Sequence, residues 1–305
     1  MEKHNKLQCQ YTIKELQQLV IKVCHQQQIS QYHFKYGPRT YTQHQFVALL
    51  ILFAKSGKSL RKFIQCLYES KWPEWLKLRE IPSKSSIHNH FQRIGLTIIR
   101  TLNLVITKTS EAINYAIDST GIDSYHASKH YEKRINRTRR PYLKLSLIGQ
   151  TKEPFLIEDF EITDKHVHDV EHAKRLSKRF RRKRKLIFAD KAYDCEELHQ
   201  INEENDNFLY CPLRDFGKKF PKGRLRRQVA KIFEEDIYHE RNKVETIMFL
   251  LKHKGLVIRS KKRINKIKEL AWKILAYNME RLAKSLQRLL ETIISLDKAL
   301  MSKEF

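Results

Sequence analysis

The sequence predicts an α/β fold: a mixed five-stranded sheet flanked by helices, preceded by an all-helical region and closed by a long C-terminal helix. Three observations predict it. Apolar residues recur at helical spacing through the first third of the chain, short apolar or alternating runs replace them from about residue 109, and a heptad of leucines occupies the last stretch.

In the first third, YTQHQFVALLILFAKS (41–56) is a compact apolar helix, and SLRKFIQCLYES (59–70) repeats apolar residues at helical spacing. A loop is expected around Trp72, Pro73 and Trp75. Pro82 and Ser83 then give a helix-start signal before a long apolar-periodic stretch that reaches Ile106. Helix, short linker and Ser-capped helix is compatible with a helix-turn-helix DNA reader, and equally with plain packing.

The next segments change period. INYAID (113–118) is a short apolar run ending in an acid, PYLKLSLIGQ (141–150) alternates like a half-buried strand, and EPFLIEDFEIT (153–163) is a third strand candidate. HVHDVEHAKRLSKRF (166–180) reads as a helix and KLIFAD (185–190) as a fourth strand. CEELHQINEE (195–204) is a helix, NFLYCPL (207–213) a fifth strand, and DIYHERNKVETIMFLLKHK (236–254) another helix. Three strands, helix, strand, helix, strand, helix is the element order of a ribonuclease-H-like fold. The expected organisation is a helical region over 1–108, a ribonuclease-H-like domain over 109–260 and a closing helix over 261–305.

Charge narrows the function. Lys and Arg number 60 against 34 Asp and Glu, a formal net charge of +26. Such an excess repels itself, so a polyanionic partner is expected, and nucleic acid is the leading one. No apolar run reaches 18 residues, and MEKHNKLQCQ lacks the apolar core of a signal peptide, so a soluble intracellular chain without a membrane partner is expected. The five cysteines (Cys9, Cys24, Cys66, Cys195, Cys211) form no Cys-x-x-Cys, which argues against a disulfide framework or zinc knuckle.

Asp118 and Asp190 share a context, each closing an apolar run (INYAI-Asp, KLIFA-Asp). Neighbouring strands would deliver both carboxylates to one end of a sheet, and hard divalent cations need such oxygen ligands. Two ions about 4 Å apart can activate an attacking oxygen and stabilise a leaving one. An acid after a strand is common, so neither aspartate suffices alone. The third acid adds weight. On a helix over 236–254, Tyr238, Arg241, Glu245 and Lys252 fall within an arc of about 60°, whereas Ile237, Val244, Ile247, Met248 and Leu251 form a separate apolar stripe.

These residues carry a resemblance. Tyr238-x2-Arg241-x3-Glu245-x6-Lys252 resembles the Tyr-Arg-Glu-Lys signature of insertion-sequence transposases with a DDE catalytic domain. AIDSTG around Asp118 and FADKAYD around Asp190 are similar to that family's two aspartate blocks. The similarity spans about residues 113–255. It implies a ribonuclease-H-like catalytic domain with two Mg²⁺ or Mn²⁺ ions, hydrolytic nicking at transposon ends, and attack of the 3′-hydroxyl on target DNA. By the same resemblance Asp118, Asp190 and Glu245 match the metal ligands, while Tyr238, Arg241 and Lys252 match positions that contact DNA near the cleaved end. Double-stranded DNA, a homodimer in the DNA complex and a cytoplasmic, nucleoid-associated place in a prokaryote are implied with it. Only residues 191–244 separate Asp190 from Glu245 and none is Trp, so a compact member without the strand-rich insertion is expected. A nuclease without strand transfer, or a non-catalytic DNA-binding descendant, stays open.

The block Lys178, Arg179, Arg181, Arg182, Lys183, Arg184, Lys185 runs into the Asp190 strand, and phosphate contacts there would hold DNA close to the metals. Arg134, Arg137, Arg139 and Arg140 invite the same reading. His166, His168 and Asp169 suit a helix start better than a metal site, and His126 with His130 lacks a third ligand. In the closing helix Leu275, Leu282, Leu289 and Leu296 recur every seven residues, with Trp272, Met279, Leu286, Ile293 and Leu300 between them. Their flanks are mostly small and uncharged, which favours packing within the chain over an exposed zipper.

Overall fold

The computed structural model describes residues 18, 20–22, 24–26, 28–32, 36, 39–123, 142–214, 222–253 and 256–301, with side chains followed to residue 285. His126, His130, Arg134, Arg137, Arg139 and Arg140 lie outside the described residues. The chain divides into two compact units, Met1–Ile94 with Leu275–Phe305, and Gly95–Ile274.

The described elements of the first unit are helices. In α1 (Gln43–Ser56) Thr42 Oγ1 accepts the Gln45 N–H while Gln45 Oε1 accepts the Thr42 N–H, so two otherwise orphaned donors are satisfied. Gly57 ends the helix at φ 60°, a left-handed conformation that costs glycine nothing. Ser59 caps α2 (Leu60–Tyr68), which buries Phe63 and Leu67. The expected loop at Trp72 is instead a one-turn helix, α3 (Trp72–Trp75), because Pro73 falls in its first turn, where a missing N–H is no loss. Ser83 caps α4 (Lys84–Arg93), which turns Ile87 and Phe91 inward.

The long stretch after Ser83 is two helices. Ile94 is extended and buried, and Gly95 N-caps α5 (Leu96–Lys108). Apolar periodicity continues through the break because a buried extended residue is as apolar as a helical one. The compact units divide at this same break, between Ile94 and Gly95. Helix α5 belongs to the second unit, where Asn103 Nδ2 donates to the carbonyls of Ile157 and Glu158 at 2.9 and 3.1 Å.

That unit is built on one five-stranded sheet of β1 (Asn114–Asp123), β2 (Tyr142–Gln150), β3 (Ile157–Thr163), β4 (Leu186–Phe188) and β5 (Phe208–Tyr210), in the order β3-β2-β1-β4-β5. The first three strands pair antiparallel, and β4 and β5 join parallel to β1. This mixed sheet flanked by helices has the ribonuclease-H-like topology that the element order predicted. Strand β1 does not close at Asp118. It continues to Asp123 because β2 keeps pairing it, Asp118 against Leu147 and Asp123 against Tyr142, and a hydrogen-bonded ladder needs no apolar side chains.

Helices α6 (Asp169–Arg179) and α7 (Glu196–Glu204) cover one face, where Ala173, Leu176 and Leu198 pack with Tyr115, Ile117, Ile148 and Ile187. Helix α8 (Arg224–Ile232), hidden in the sequence by its cations, buries Leu225 and Val229. The segment expected to be one helix over 236–254 is three pieces: α9 (Glu235–Tyr238), a 3₁₀ turn (His239–Arg241) and α10 (Asn242–His253). The apolar stripe Val244, Ile247, Met248 and Leu251 is buried as expected, but Ile237 is 41% exposed. A 3₁₀ turn advances about 120° per residue, so a wheel drawn at about 100° loses register across it. Helix α10 reaches the sheet at Gly149, where a Cβ would stand 2.5 Å from Ile247 Cδ1.

Helix α11 (Arg263–Met301) closes the chain. Trp272, Leu275, Met279 and Leu282 are buried, while Leu286, Leu289, Ile293, Leu296 and Leu300 lie beyond the described side chains. Among the described residues no helix is long and apolar enough to cross a membrane.

Candidate active site

The parallel pairing of β1 with β4 ends at Ala116 against Phe188. Asp118 and Asp190 each lie two residues past that last pair, so the register places them side by side at one end of the sheet. Asp190 is the N-cap of a 3₁₀ turn (Lys191–Tyr193), and its Oδ1 accepts the Lys191 N–H at 2.6 Å. Side chains alternate along β1. Asp118 and Thr120 therefore share the face over which α10 lies, and Ser119 points to the face covered by α6.

Arg241 and α10 bring the third acid. Arg241 Nη2 reaches Asp118 Oδ2 at 3.3 Å and Nη1 reaches Glu245 Oε1 at 2.7 Å, so one guanidinium bridges two of the three expected ligands. Burial raises the Asp118 carboxyl above its ordinary value, the Ser119 N–H and Arg241 oppose that rise, and Glu245 and Asp190 add to it. The three carboxylates thus sense one another, and Arg241 supplies the compensating charge. Its Nε is buried with no hydrogen-bond partner among the described residues. Lys252 Nζ meets Thr120 Oγ1 at 2.5 Å. Tyr238 stands against Phe233, itself stacked on Tyr210. Burial pushes the Tyr238 phenol up to about 12, with Arg241 drawing it back and Asp190 adding to the rise.

Residues 110–279 match the family model described as the Transposase DDE domain, more than half of the chain. The chain belongs to that transposase family. A search of curated proteins finds no match for this transposase. Among solved structures, the cryo-EM structure of a piggyBac transposase synaptic complex with hairpin DNA is 12% identical, covering 89% of this chain and 72% of that one at a TM-score of 0.43.

The basic block of this transposase runs from the end of α6 to the start of β4. Lys185 precedes β4 and Asp190 follows it, so extended chain separates them by at most roughly 17 Å at about 3.3 Å per residue. Two of the block's arginines are paired with acids of β3. Arg179 Nε meets Asp159 at 2.7 Å and its Nη1 meets Glu161. Arg182 Nε meets the buried Glu158 at 2.9 Å, and its Nη2 donates to the Thr107 carbonyl at 2.7 Å. Lys178, Arg181, Lys183 and Arg184 stay exposed, Arg184 with Asp206 at 3.6 Å, and Lys185 is half-buried. The length of β4 thus lies between the end of this block and Asp190. His168 is the N-cap of α6, Asp169 lies in its first turn and meets Lys144 at 2.6 Å, and His166 hydrogen-bonds Tyr142 at 3.1 Å, in keeping with a helix start.

One cluster escaped sequence reasoning. Asp194, His199 and Cys211 are buried together with ligand atoms within 4.8 Å of one another. Arg226 already supplies the cation there, its Nε donating to Asp194 Oδ1 at 2.7 Å and its Nη2 to Oδ2, while the Arg214 N–H also donates to Oδ2. Three of that carboxylate's acceptor sites are already taken, and a guanidinium beside it repels a cation. Asp118, Asp190 and Glu245, all hard oxygen donors, fit Mg²⁺ or Mn²⁺ better.

Proposed function

We propose that this transposase cleaves transposon ends by metal-dependent phosphodiester hydrolysis at Asp118, Asp190 and Glu245 and joins the freed 3′-hydroxyl to target DNA. The observation that carries the reading is that acids from β1, the turn after β4 and α10 lie around the single guanidinium of Arg241. Three like charges gathered on separate elements repel, and a site that gathers them stores affinity for cations. Two divalent ions held there supply activation of the attacking oxygen and stabilisation of the leaving one. Arg241 holds Asp118 and Glu245 in place by its two contacts, and Lys252, fixed by Thr120 on the same face, adds positive charge for a phosphate. Tyr238 completes the DNA-facing set.

Double-stranded DNA, as transposon end and as target, is the partner, and a homodimer bridges the two ends. The exposed members of the basic block add sequence-independent affinity away from the carboxylates. The helical unit reads DNA through α4, whose exposed side carries Lys84, Ser85, His88 and Asn89 and no acid. The soluble, nucleoid-associated location follows from that partner. Asp118→Asn, Asp190→Asn and Glu245→Gln should each abolish Mg²⁺-dependent strand cleavage while leaving DNA retention in a gel-shift assay intact. Cleavage at the unsubstituted rate by any one of them removes that residue from the site, and cleavage without labelled 3′-end joining products reduces the activity to that of a nuclease.

A further inference from the structure

Behind the carboxylates, on the opposite face of the sheet, runs an unbroken line of hydrogen-bonding side chains. Tyr193 Oη lies 3.0 Å from Ser119 Oγ, Ser119 Oγ lies 2.6 Å from Ser146 Oγ, and Ser146 Oγ lies 2.7 Å from His172 Nδ1. The line starts on the turn that Asp190 caps, crosses β1 at the residue after Asp118, crosses β2 at the residue paired with Ser119, and ends on α6. Tyr193, Ser146 and His172 are almost wholly buried, at 2%, 0% and 0% exposure. His172 Nε2 has no hydrogen-bond partner among the described residues. Burial, with Lys144 nearby, holds that imidazole below its ordinary pKa, so it is neutral and has one proton to place.

This line does what the backbone stops doing. The β1–β4 ladder ends at Ala116 and Phe188, two residues short of both aspartates, so no described ladder bond ties the strand at Asp118 to the turn at Asp190. The two carboxylates repel each other across that gap. Tyr193 bridges it. Its N–H donates to the Asp190 carbonyl at 2.8 Å, and its phenol meets the residue that follows Asp118. Ser119 also donates its N–H to Asp118 Oδ1 at 2.7 Å, which couples the strand's position to the carboxylate's orientation. Polar hydroxyls buried in an apolar layer cost stability unless they are paired, so their placement in a line across four elements calls for a reason beyond packing.

We propose that Tyr193, Ser119, Ser146 and His172 form a positioning clamp that sets the separation and orientation of Asp118 and Asp190 from behind the sheet. The clamp rests on the reading of those aspartates as metal ligands, and touches neither metal nor DNA itself. Groups that orient metal ligands typically change affinity by roughly 10- to 100-fold when removed.

The test is Mn²⁺ affinity of the full chain, read as free Mn²⁺ by electron paramagnetic resonance, beside the thermal midpoint of the same samples without metal. Tyr193→Phe keeps the ring in the core and removes only the hydroxyl, Ser119→Ala and Ser146→Ala break the line at its middle, and Ser119→Thr restores an Oγ. The expected result is Mn²⁺ binding weakened roughly tenfold in Tyr193→Phe, Ser119→Ala and Ser146→Ala, and recovered in Ser119→Thr. Unchanged affinity in the three deletions, with Asp118→Asn still losing the ion, overturns the clamp and leaves the metal ligands standing. A lowered midpoint at unchanged affinity also overturns it, since that is what a merely structural role gives. Mn²⁺ binding by Asp118→Asn equal to that of the unsubstituted chain overturns the ligand assignment and the clamp together.

Discussion

Asp194→Asn tests how the turn after Asp190 is anchored. The Asp194 side chain is fully buried and that of Arg226 is 8% exposed. Burial would raise the Asp194 carboxyl, yet hydrogen bonds from His199, Arg226 and the Arg214 N–H override it and bring the group from 3.8 to about 2. A folded pKa below the unfolded one means the pair's stabilisation is fully present above about pH 4 and is lost as pH falls through about 2. The shift corresponds to about 2 kcal/mol. The substitution costs more than that shift, because it removes the carboxylate to which Arg226 donates two hydrogen bonds inside the core, and breaking one side of such a pair costs about 3–5 kcal/mol. For a unit of this size the thermal midpoint at pH 7 should fall by roughly 10 °C, at about 2–4 °C per kcal/mol. Urea unfolding at a series of pH values should show the unsubstituted chain losing stability between pH 4 and 2 more steeply than the variant does. A midpoint within about 2 °C of the unsubstituted chain at pH 7, or equal slopes below pH 4, refutes the argument. So does stabilisation of the unsubstituted chain that a chelator removes through Asp194, His199 and Cys211, since that would make the cluster a metal site.

Two further outcomes follow from the same structure. Arg182→Ala leaves the buried Glu158 unpaired and should lower stability by about 3 kcal/mol or more in urea titration, whereas Lys183→Ala should leave stability unchanged and reduce the salt slope of DNA binding by about one; equal stability of the two variants would return Arg182 to the DNA-binding set. Gly149→Val drives a side chain into Ile247 on α10 and should cost about 1–3 kcal/mol, with weaker metal binding through Glu245 on the same helix; a variant of unchanged midpoint and Mn²⁺ affinity shows that α10 yields freely at this contact.

Much of the fold was legible because its elements announce themselves locally. The apolar runs at Tyr115–Ile117 and Leu186–Phe188 are strands whatever surrounds them, and Thr42, Ser59 and Ser83 cap helices through donors only three residues away. Errors fell where local pattern and geometry part. Apolar periodicity passed through the extended Ile94, and a uniform wheel passed through the 3₁₀ turn at His239–Arg241 and put Ile237 in the core. Helix α8 was missed because Arg224, Arg226 and Arg227 outnumber the two apolar residues that bury it.

The candidate site divides the same way. Which acids to consider, and the spacing of Arg241 and Glu245 at four residues, are properties of the chain, since one helical turn brings such a pair together in any fold. Whether Asp118 meets Asp190 is decided by the β1–β4 register, and Arg241 joins Asp118 across 123 positions of sequence only because α10 lies on that face of the sheet. The basic block shows the opposite case. Adjacent to Asp190 in sequence, it is carried away by an extended strand, and Arg179 and Arg182 find their acids on β3. Sequence by itself determined most of the elements and the set of candidate acids, because those depend on neighbours within a turn or a strand's alternation. Only the tertiary structure decided which charges pair, which face each side chain takes and what stands behind the carboxylates, because those depend on strand order and register between segments far apart in the chain.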